Sequence, residues 1–245
     1  MTREACDAPE ITDDRLLEGR VRLLQPRRGH RAGTDAVLLA GQADLRPGDH
    51  VVDLGSASGA VGLMAGARVP GIRLTLVERD PLLAALAREN LVRNGQAEAE
   101  VRNVDLFADR RTLRAAGLSA GMADAVLTNP PFFEGGSPPS PDPGRRAAHV
   151  FSGGGLNGWL GVAAWLLKPR GRLTLVHRAD ALETCLAALA PAFGSTVVVP
   201  VRSDPERDAV RILVSAVKGG RAPLRIAPAL VLRAGPARGP ETELS

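Results

Sequence analysis

The hydrophobic residues of this chain recur with two different periods, which divide it into alternating strands and helices. Segments with helical spacing lie between most of the strand-like runs. Seven short apolar runs are typical of strands buried on both faces, namely residues 50–54, 72–77, 99–103, 123–128, 172–177, 195–201 and 209–217. The pattern predicts an α/β fold with a seven-stranded, mostly parallel sheet and about six helices on its two faces. No helical pattern separates the last two runs, so the last strand is expected to run antiparallel.

Several residues are typical of helix ends. Asp80-Pro81 and Asn94-Gly95 bracket one predicted helix, as N-cap with proline and as C-cap with glycine. Thr34 or Asp35 is expected to cap an earlier helix that runs to about residue 43. Trp159 lies on the apolar face of a later predicted helix, where it is expected to be a core residue.

The same patterns predict how the chain is divided. Residues 1–18 are polar and are expected to be loosely ordered. A short strand is predicted near residues 20–26, and residues 223–232 are a candidate edge strand. Three regions are expected: an N-terminal extension packed on the core at 1–45, one domain at 46–234, and a flexible tail at 235–245.

A glycine-containing loop follows the first of the core strands. Residues 50–54 lead directly into Gly55-Ser56-Ala57-Ser58-Gly59, after which a helix begins. Glycines let the backbone approach a ligand closely, and a helix start offers backbone N–H groups. Asp53 precedes the loop, and Glu78 ends the next strand, where an acid can bind ribose hydroxyls. Strand, loop, helix and acid together predict a site for a nucleotide-containing cofactor.

The run at 123–128 stops at Asn129-Pro130-Pro131-Phe132. Two prolines cannot continue a central ladder, so the strand presents a stiff polar loop at its carboxyl edge, where open α/β sheets bind ligands. The Asn129 side-chain oxygen and the Pro130 carbonyl can accept both hydrogens of a planar amine, while Phe132 stacks on a flat substrate. This loop predicts chemistry on a base amine or an amide nitrogen. A plain strand-ending turn is the alternative, because Asn and Pro are ordinary turn residues.

A third candidate site residue follows the run at 99–103. Asp105 can accept a hydrogen bond from an adenine amino group, with Leu106 and Phe107 against the ring. It can equally cap the helix predicted from Arg110 to Ala116.

Charge and cysteine usage narrow the class of protein. The chain has 31 basic and 27 acidic residues, a net charge of +4, and Lys168 and Lys218 are its only lysines. This balance suits a polyanionic partner, although a bias toward Arg, Ala, Gly and Pro throughout the chain would give the same charge. Cys6 and Cys185 and the four scattered histidines predict neither disulfides nor a metal site. With no apolar run long enough to span a bilayer, a soluble cytoplasmic protein is expected.

This chain resembles the class I S-adenosylmethionine methyltransferases that act on amino groups. The resemblance lies in the order and spacing of four features, namely the glycine loop, Glu78, Asp105 and Asn129-Pro130-Pro131-Phe132. Residues 23–39 and 211–224 resemble, in particular, the bacterial tRNA1(Val) adenine-N6 methyltransferase family, which modifies adenine 37 of the anticodon loop. The resemblance covers roughly residues 20–235. It implies a Rossmann-like fold, S-adenosylmethionine as cofactor, and N6-methylation of an RNA adenine.

The resemblance also implies roles for individual residues. Four parts of the cofactor would each have their own residues: Thr34 and Asp35 at the amino-acid end, Asp53, Gly55, Ser56 and Gly59 around the methionine part, Glu78 at the ribose, and Asp105 and Leu106 at the adenine. The target amine would be bound by Asn129, Pro130, Pro131 and Phe132. Apart from the resemblance, three basic groups are expected to flank one mouth and to contact RNA phosphates: Arg27, Arg28 and Arg31; Arg145 and Arg146; Lys218 and Arg221. The alternative is a solvated arginine surface spread evenly by composition. The sequence departs from the family pattern at Ala57, where a middle glycine is usual and a methyl group can crowd the cofactor or require a shifted backbone.

Other functions fit parts of this pattern. Asn-Pro-Pro-aromatic loops also serve enzymes that methylate protein glutamine, rRNA guanine or DNA adenine. A glycine loop with a downstream acid also fits a nicotinamide-dependent dehydrogenase. A further alternative is an RNA-binding protein that has lost catalysis, for which Ala57 in the cofactor loop is the evidence. Phe132 in place of the tyrosine usual in glutamine enzymes, and the lack of room for a DNA target-recognition domain, favour RNA.

Overall fold

Nine strands form one sheet in the computed structural model, which describes residues 10–29, 31–131 and 154–232. The seven predicted core strands are all present, as β3 His50–Leu54, β4 Arg73–Glu78, β5 Glu100–Asn103, β6 Ala123–Thr128, β7 Leu167–Arg178, β8 Phe193–Arg202 and β9 Arg211–Lys218. Two further strands, β10 Arg225–Ile226 and β11 Leu230–Val231, pair with β8. The prediction of seven strands is therefore two short, and both additions fall in the candidate edge segment 223–232.

The sheet has the order β10-β8-β9-β7-β6-β3-β4-β5, with β11 also along β8. β9 runs antiparallel to both of its neighbours, and the other pairs are parallel. The predicted antiparallel strand is thus confirmed as β9, although it lies inside the sheet and two short parallel strands follow it. Because β9 is reversed, Arg211 at its start pairs with Arg178 at the end of β7. Its other end, Lys218, lies at the amino edge of the parallel strands.

Helices cover both faces of the sheet, which confirms the predicted fold class. In the described part of the chain they are α1 Thr34–Gln42, α2 Ala60–Arg68, α3 Pro81–Arg93, α4 Arg110–Ala115, α5 Leu156–Leu166 and α6 Leu182–Leu189, with a 3-10 turn at Ala179–Ala181. Two apolar clusters result. One contains buried residues of α4, α5 and α6, and the other those of α1, α2 and α3.

Two of the predicted helix ends are confirmed, and one is wrong. Asp80 caps α3 by accepting hydrogen bonds from the backbone N–H groups of Leu82 and Leu83 at 2.8 and 3.1 Å, and Gly95 follows the Asn94 C-cap at φ +68°. The cap of α1 is Gly33, without a side-chain hydrogen bond, instead of Thr34 or Asp35. The Asp35 carboxylate instead accepts from Arg211 Nε, at 3.1 and 3.0 Å to its two oxygens.

The N-terminal region contains a hairpin that the polar composition of residues 1–18 did not predict. β1 Ile11–Leu16 pairs antiparallel with β2 Val21–Pro26, while residues 1–9 lie outside the described residues. Val21 and Leu23 alternate with polar positions and are fully buried in the cluster that also holds α1, α2 and α3. The expectation of a loosely ordered start is therefore wrong for β1, because its partner strand buries an apolar face against the core.

Neither a membrane-spanning helix nor a metal-binding cluster is found among the residues that the structure describes. None of their helices is both long and apolar enough to cross a membrane, and none of their His, Cys, Asp and Glu side chains form a group of three that could hold a metal ion.

Candidate active site

The carboxyl ends of β3, β4 and β6 open into a cavity of about 950 Å³. This is the upper end of the range of about 300–1,000 Å³ typical of ligand sites. The cavity is lined by eleven of the predicted cofactor and amine residues: Thr34, Asp35, Asp53, Gly55, Ser56, Glu78, Asp105, Leu106, Asn129, Pro130 and Pro131. Gly59 is the N-cap of α2 just behind them, and Phe132 lies outside the described residues.

The glycine loop bends sharply beneath the cavity. Gly55 and Gly59 have φ of +70° and +91°, which favour glycine. The N–H groups of Gly55 and Ser56 both donate to the Val77 carbonyl, at 2.9 and 3.0 Å. A Cβ at Gly55 would stand 2.8 Å from the indole ring of Trp159. The loop is thus pinned to β4 on one side and packed on an aromatic ring on the other.

Ala57, where the resemblance leads us to expect a glycine, also adopts the left-handed conformation, with φ +48°. Its N–H donates to Glu78 Oε2 at 2.8 Å, while Glu78 Oε1 accepts from the Asp80 N–H at 2.8 Å. Two backbone N–H groups therefore orient the Glu78 carboxylate at the end of β4. Ala57 thus puts a methyl group on a backbone conformation that favours glycine, in a loop whose N–H is hydrogen-bonded to Glu78.

Asp53 and Ser56 place buried polar groups beside the loop. Asp53 is 1% exposed and accepts a hydrogen bond from the Gly62 N–H at 3.0 Å. Burial raises the pKa of Asp53 to about 7, and the charge of Glu78 acts in the same direction. The Ser56 hydroxyl is buried without a hydrogen-bond partner among the residues that the structure describes. Buried polar groups are normally paired, so the Ser56 hydroxyl suits a polar ligand in the cavity.

The third acidic candidate lies at the far side of the cavity. Asp105 Oδ1 accepts from the Phe107 N–H at 2.9 Å. Its alternative role as a helix cap is wrong, because Asp109 caps α4 by accepting from the Thr112 N–H at 2.7 Å. Leu106 is buried, and Phe107 meets Trp159 edge to face with 6.1 Å between ring centroids. An acid and apolar side chains thus stand together at the end of β5.

Trp159 and Arg211 line the cavity without having been predicted as site residues. Trp159 belongs to the core as expected, yet its indole N–H also donates to Thr128 Oγ1 at 2.8 Å, directly before Asn129. Arg211 reaches the cavity from β9 and pairs with Asp35 on α1. The apolar spacing of α5 carries no signal for the first role. For the second role, the signal in the sequence is that Arg211 lies near the start of the strand expected to run antiparallel in the main sheet and begins the segment 211–224 that resembles the family.

The basic candidates do not all flank the cavity. Arg31 lines it, but its guanidinium bonds to Thr12 Oγ1, the Pro26 carbonyl and Asp14 Oδ2, each at 2.9 Å. Arg27 pairs with Glu10 on the exposed turn that also holds Arg28.

Lys218 and Arg221 lie at the opposite edge of the sheet, so the expectation of a shared mouth is wrong for them. Lys218 Nζ donates to the carbonyl of Leu167, the first residue of β7, at 2.7 Å. The antiparallel course of β9 carries this end away from the cavity. Arg145 and Arg146 lie outside the described residues.

Comparison with known proteins agrees with this geometry. Residues 32–141 match the family model of the methyltransferase small domain. A tRNA1(Val) (adenine(37)-N6)-methyltransferase of Porphyromonas gingivalis is 31% identical over 197 residues, which cover 75% of this chain and 72% of that protein. The chain belongs to the tRNA1(Val) (adenine(37)-N6)-methyltransferase family.

One further relative and one solved structure are also similar to this chain. A family member from Haemophilus influenzae is 28% identical over 186 residues, which cover 72% of this chain and 75% of the relative. Among solved structures, a protein of Agrobacterium tumefaciens described as a predicted O-methyltransferase superposes with a TM-score of 0.69 at 28% identity, covering 84% of this chain and 90% of that one. The methyltransferase fold predicted from the sequence is therefore confirmed.

Proposed function

We propose that this methyltransferase transfers a methyl group from S-adenosylmethionine to N6 of an adenine in RNA, with adenine 37 of tRNA1(Val) as its substrate. The observation that carries the proposal is that Asn129, Pro130 and Pro131 line the same cavity as the glycine loop and Glu78. A cofactor site and an amine-binding loop thereby share one space. The activity named for the relatives supports the choice of substrate.

The residues of the cavity fit the proposed cofactor. Glu78 is oriented for ribose hydroxyls, Asp105 with Leu106 suits an adenine, and Ser56 has a buried hydroxyl to be paired. Asp53 and the Gly55 to Gly59 loop would hold the methionine part, with Thr34 and Asp35 closing over it. When bound, the cofactor supplies an electrophilic methyl group and leaves as S-adenosylhomocysteine.

The amine loop supplies the other half of the chemistry. An exocyclic adenine nitrogen is a poor nucleophile, because its lone pair is delocalised into the ring. The Asn129 side-chain oxygen and the Pro130 carbonyl accept its two hydrogens, which draws the nitrogen toward tetrahedral geometry. Placement and electrostatic complementarity carry most of the rate enhancement in such a site. The proton released on methylation passes to solvent.

The test is methyl transfer into defined RNA. Purified protein is incubated with labelled S-adenosylmethionine and a tRNA1(Val) transcript, and the digested nucleosides are separated. We expect label in N6-methyladenosine, and none when adenine 37 is replaced by guanine. Label on ribose oxygen would assign the chain to an oxygen acceptor, as in the description of the Agrobacterium protein. Label in added protein glutamine or DNA, with none in the tRNA, would overturn the RNA assignment.

A further inference from the structure

A short chain of hydrogen bonds joins the two halves of the cavity from below. The Trp159 indole N–H donates to Thr128 Oγ1 at 2.8 Å, and the Thr128 hydroxyl donates to the Leu54 carbonyl at 2.9 Å. Thr128 and Leu54 are fully buried, and Trp159 is 8% exposed. Because the hydroxyl has one proton, donation to Leu54 leaves its lone pairs for the indole, so both bonds form together.

The two strand residues in this chain each precede a functional loop. Leu54 and Thr128 are register partners at the carboxyl ends of β3 and β6. The residue after Leu54 is Gly55, which begins the cofactor loop. The residue after Thr128 is Asn129, which begins the amine loop. The hydrogen-bond chain therefore connects the last strand positions before the two loops.

The Trp159 ring adds a steric constraint to the same pair of loops. Its six-membered ring lies where a Gly55 side chain would be, since an added Cβ would meet Cζ2 and Cη2 at 2.8 and 2.9 Å. Phe107 contacts the ring edge to face from the side of Asp105. A ring fixed at its nitrogen by Thr128 cannot turn away from Gly55 without losing that bond.

We propose that Thr128 and Trp159 are positioning residues that hold the cofactor loop and the amine loop at one fixed separation. The inference rests on the proposed function, in which the methyl donor occupies one loop and the acceptor nitrogen the other. Displacement of reacting groups by about 1 Å can cost about 100-fold in rate. A change in this chain therefore affects turnover far more than cofactor affinity.

Thr128→Val tests the inference, because it keeps the shape of the side chain and removes the hydroxyl. We expect kcat for tRNA methylation to fall about 10- to 100-fold. The Kd for S-adenosylhomocysteine should stay within about threefold, since Thr128 is fully buried and is not among the residues that line the cavity. Thr128→Ser, which restores the hydroxyl, should recover kcat to within about threefold of the parent.

Thr75→Val is the matched control. Thr75 is 1% exposed in the neighbouring strand β4, and its hydroxyl pairs with His50 Nε2 at 2.9 Å, away from the cavity. The same substitution with the same burial should leave kcat within about threefold. A Thr128→Val variant whose kcat matches that of Thr75→Val would overturn the inference. So would a Kd that rises by the same factor by which kcat falls.

Indole proton exchange provides a measurement that needs no activity. The chain has two tryptophans, Trp159 and Trp165, and Trp159→Phe assigns their indole resonances. We expect the Trp159 indole proton to exchange slowly with solvent in the parent and faster in Thr128→Val, while that of Trp165 is unchanged. Equal exchange in both proteins would refute the hydrogen-bond chain. If the parent fails to methylate tRNA1(Val) yet shows this protection, the proposed substrate fails and the hydrogen-bond chain stands.

Discussion

Ala57 shows, at the scale of one residue, how a local departure from a family pattern is accommodated. Its φ of +48° lies in the left-handed region, which costs a residue with a Cβ about 1–2 kcal/mol. Its N–H is nevertheless bonded to Glu78, so the surrounding structure enforces the conformation. The left-handed conformation at Ala57 is therefore expected to cost stability.

Ala57→Gly should therefore raise the free energy of unfolding by about 1 kcal/mol, because glycine adopts this φ without strain. Urea denaturation of the parent and the variant measures the change. Ala85→Gly is the control, at an exposed position inside α3, and should lower stability by about 1 kcal/mol. Equal losses at both positions would show that the backbone at 57 is not strained.

Asp53 predicts a dependence of stability on pH. Its pKa is about 7 in the folded protein against an ordinary value of 3.8, so between these pH values the folded state binds more protons than the unfolded chain. Stability from this group is therefore lost as pH rises from about 4 to about 7, by up to about 1.4 kcal/mol per pH unit. Asp53→Asn should flatten the curve in this window, measured by urea denaturation against pH. A parent and variant with parallel curves would mean that Asp53 titrates normally.

Asn129 allows a separation of catalysis from cofactor binding. Asn129→Ala should abolish methyl transfer, because the proposed mechanism assigns its amide oxygen to a hydrogen of the target amine, while the Kd for S-adenosylmethionine stays within a few-fold. Calorimetry and the tRNA assay measure the two quantities. If cofactor binding collapses together with activity, Asn129 belongs to the cofactor site instead.

At the scale of elements, two side-chain amides, one inside α3 and one at its C-cap, attach the N-terminal hairpin to the core. Asn90 Oδ1 accepts from the Leu24 N–H at 2.7 Å, and its Nδ2 donates to the carbonyls of Leu24 and Ser58 at 2.8 and 3.0 Å. One turn later, Asn94 makes the same pair of bonds to the backbone of Arg22, at 2.9 and 2.7 Å. The helical spacing of the amides thus matches alternate residues of β2, and Asn90 also holds the glycine loop.

Asn90→Leu should destabilise the protein by about 3 kcal/mol or more, because it leaves the half-buried backbone groups of Leu24 and the buried carbonyl of Ser58 unpaired. Asn94→Leu serves as the comparison: its bonds to Arg22 are exposed, water can replace them, and a loss of about 1 kcal/mol is expected. Chemical denaturation distinguishes these outcomes. Similar small losses in both variants would mean that the hairpin is held by its apolar face alone.

Across the whole molecule, the direction of β9 separates the basic candidates into two groups. Arg27 and Arg28 follow β2 and precede the Arg31 to Asp35 segment of the cavity wall, whereas Lys218 and Arg221 lie at the opposite edge of the sheet. A substrate entering the cavity can meet the first group and is far from the second.

Replacing Arg27 and Arg28 with Gln should weaken tRNA binding and flatten the log–log salt dependence by about 0.7–0.9 for each phosphate that the protein no longer neutralises. The double replacement of Lys218 and Arg221 removes the same charge and should leave the salt slope unchanged. Filter binding at several salt concentrations measures both. Equal slopes for the two variants would support a charge spread evenly over the surface.

The local sequence pattern alone was sufficient to predict many of the strands and helix ends of this protein. The seven core strands, the Asp80-Pro81 start and the Asn94-Gly95 end of α3 depend on residues within a few positions of one another. The common position of the glycine loop, Glu78 and the Asn129 loop followed from topology, since parallel strands bring their carboxyl ends to one edge. The resemblance to the methyltransferase family rested on these same residues.

Tertiary structure decided what depends on contacts between distant segments. The polar composition of residues 1–18 concealed β1, because that strand exists only by pairing with β2. Trp159 looked like an ordinary core residue, and only the packing of α5 places it beneath Gly55 and against Thr128. Lys218 was expected beside Arg31, and the reversal of β9 moved it to the other edge. Periodicity reports which residues are buried, whereas strand direction and side-chain packing determine which of them meet.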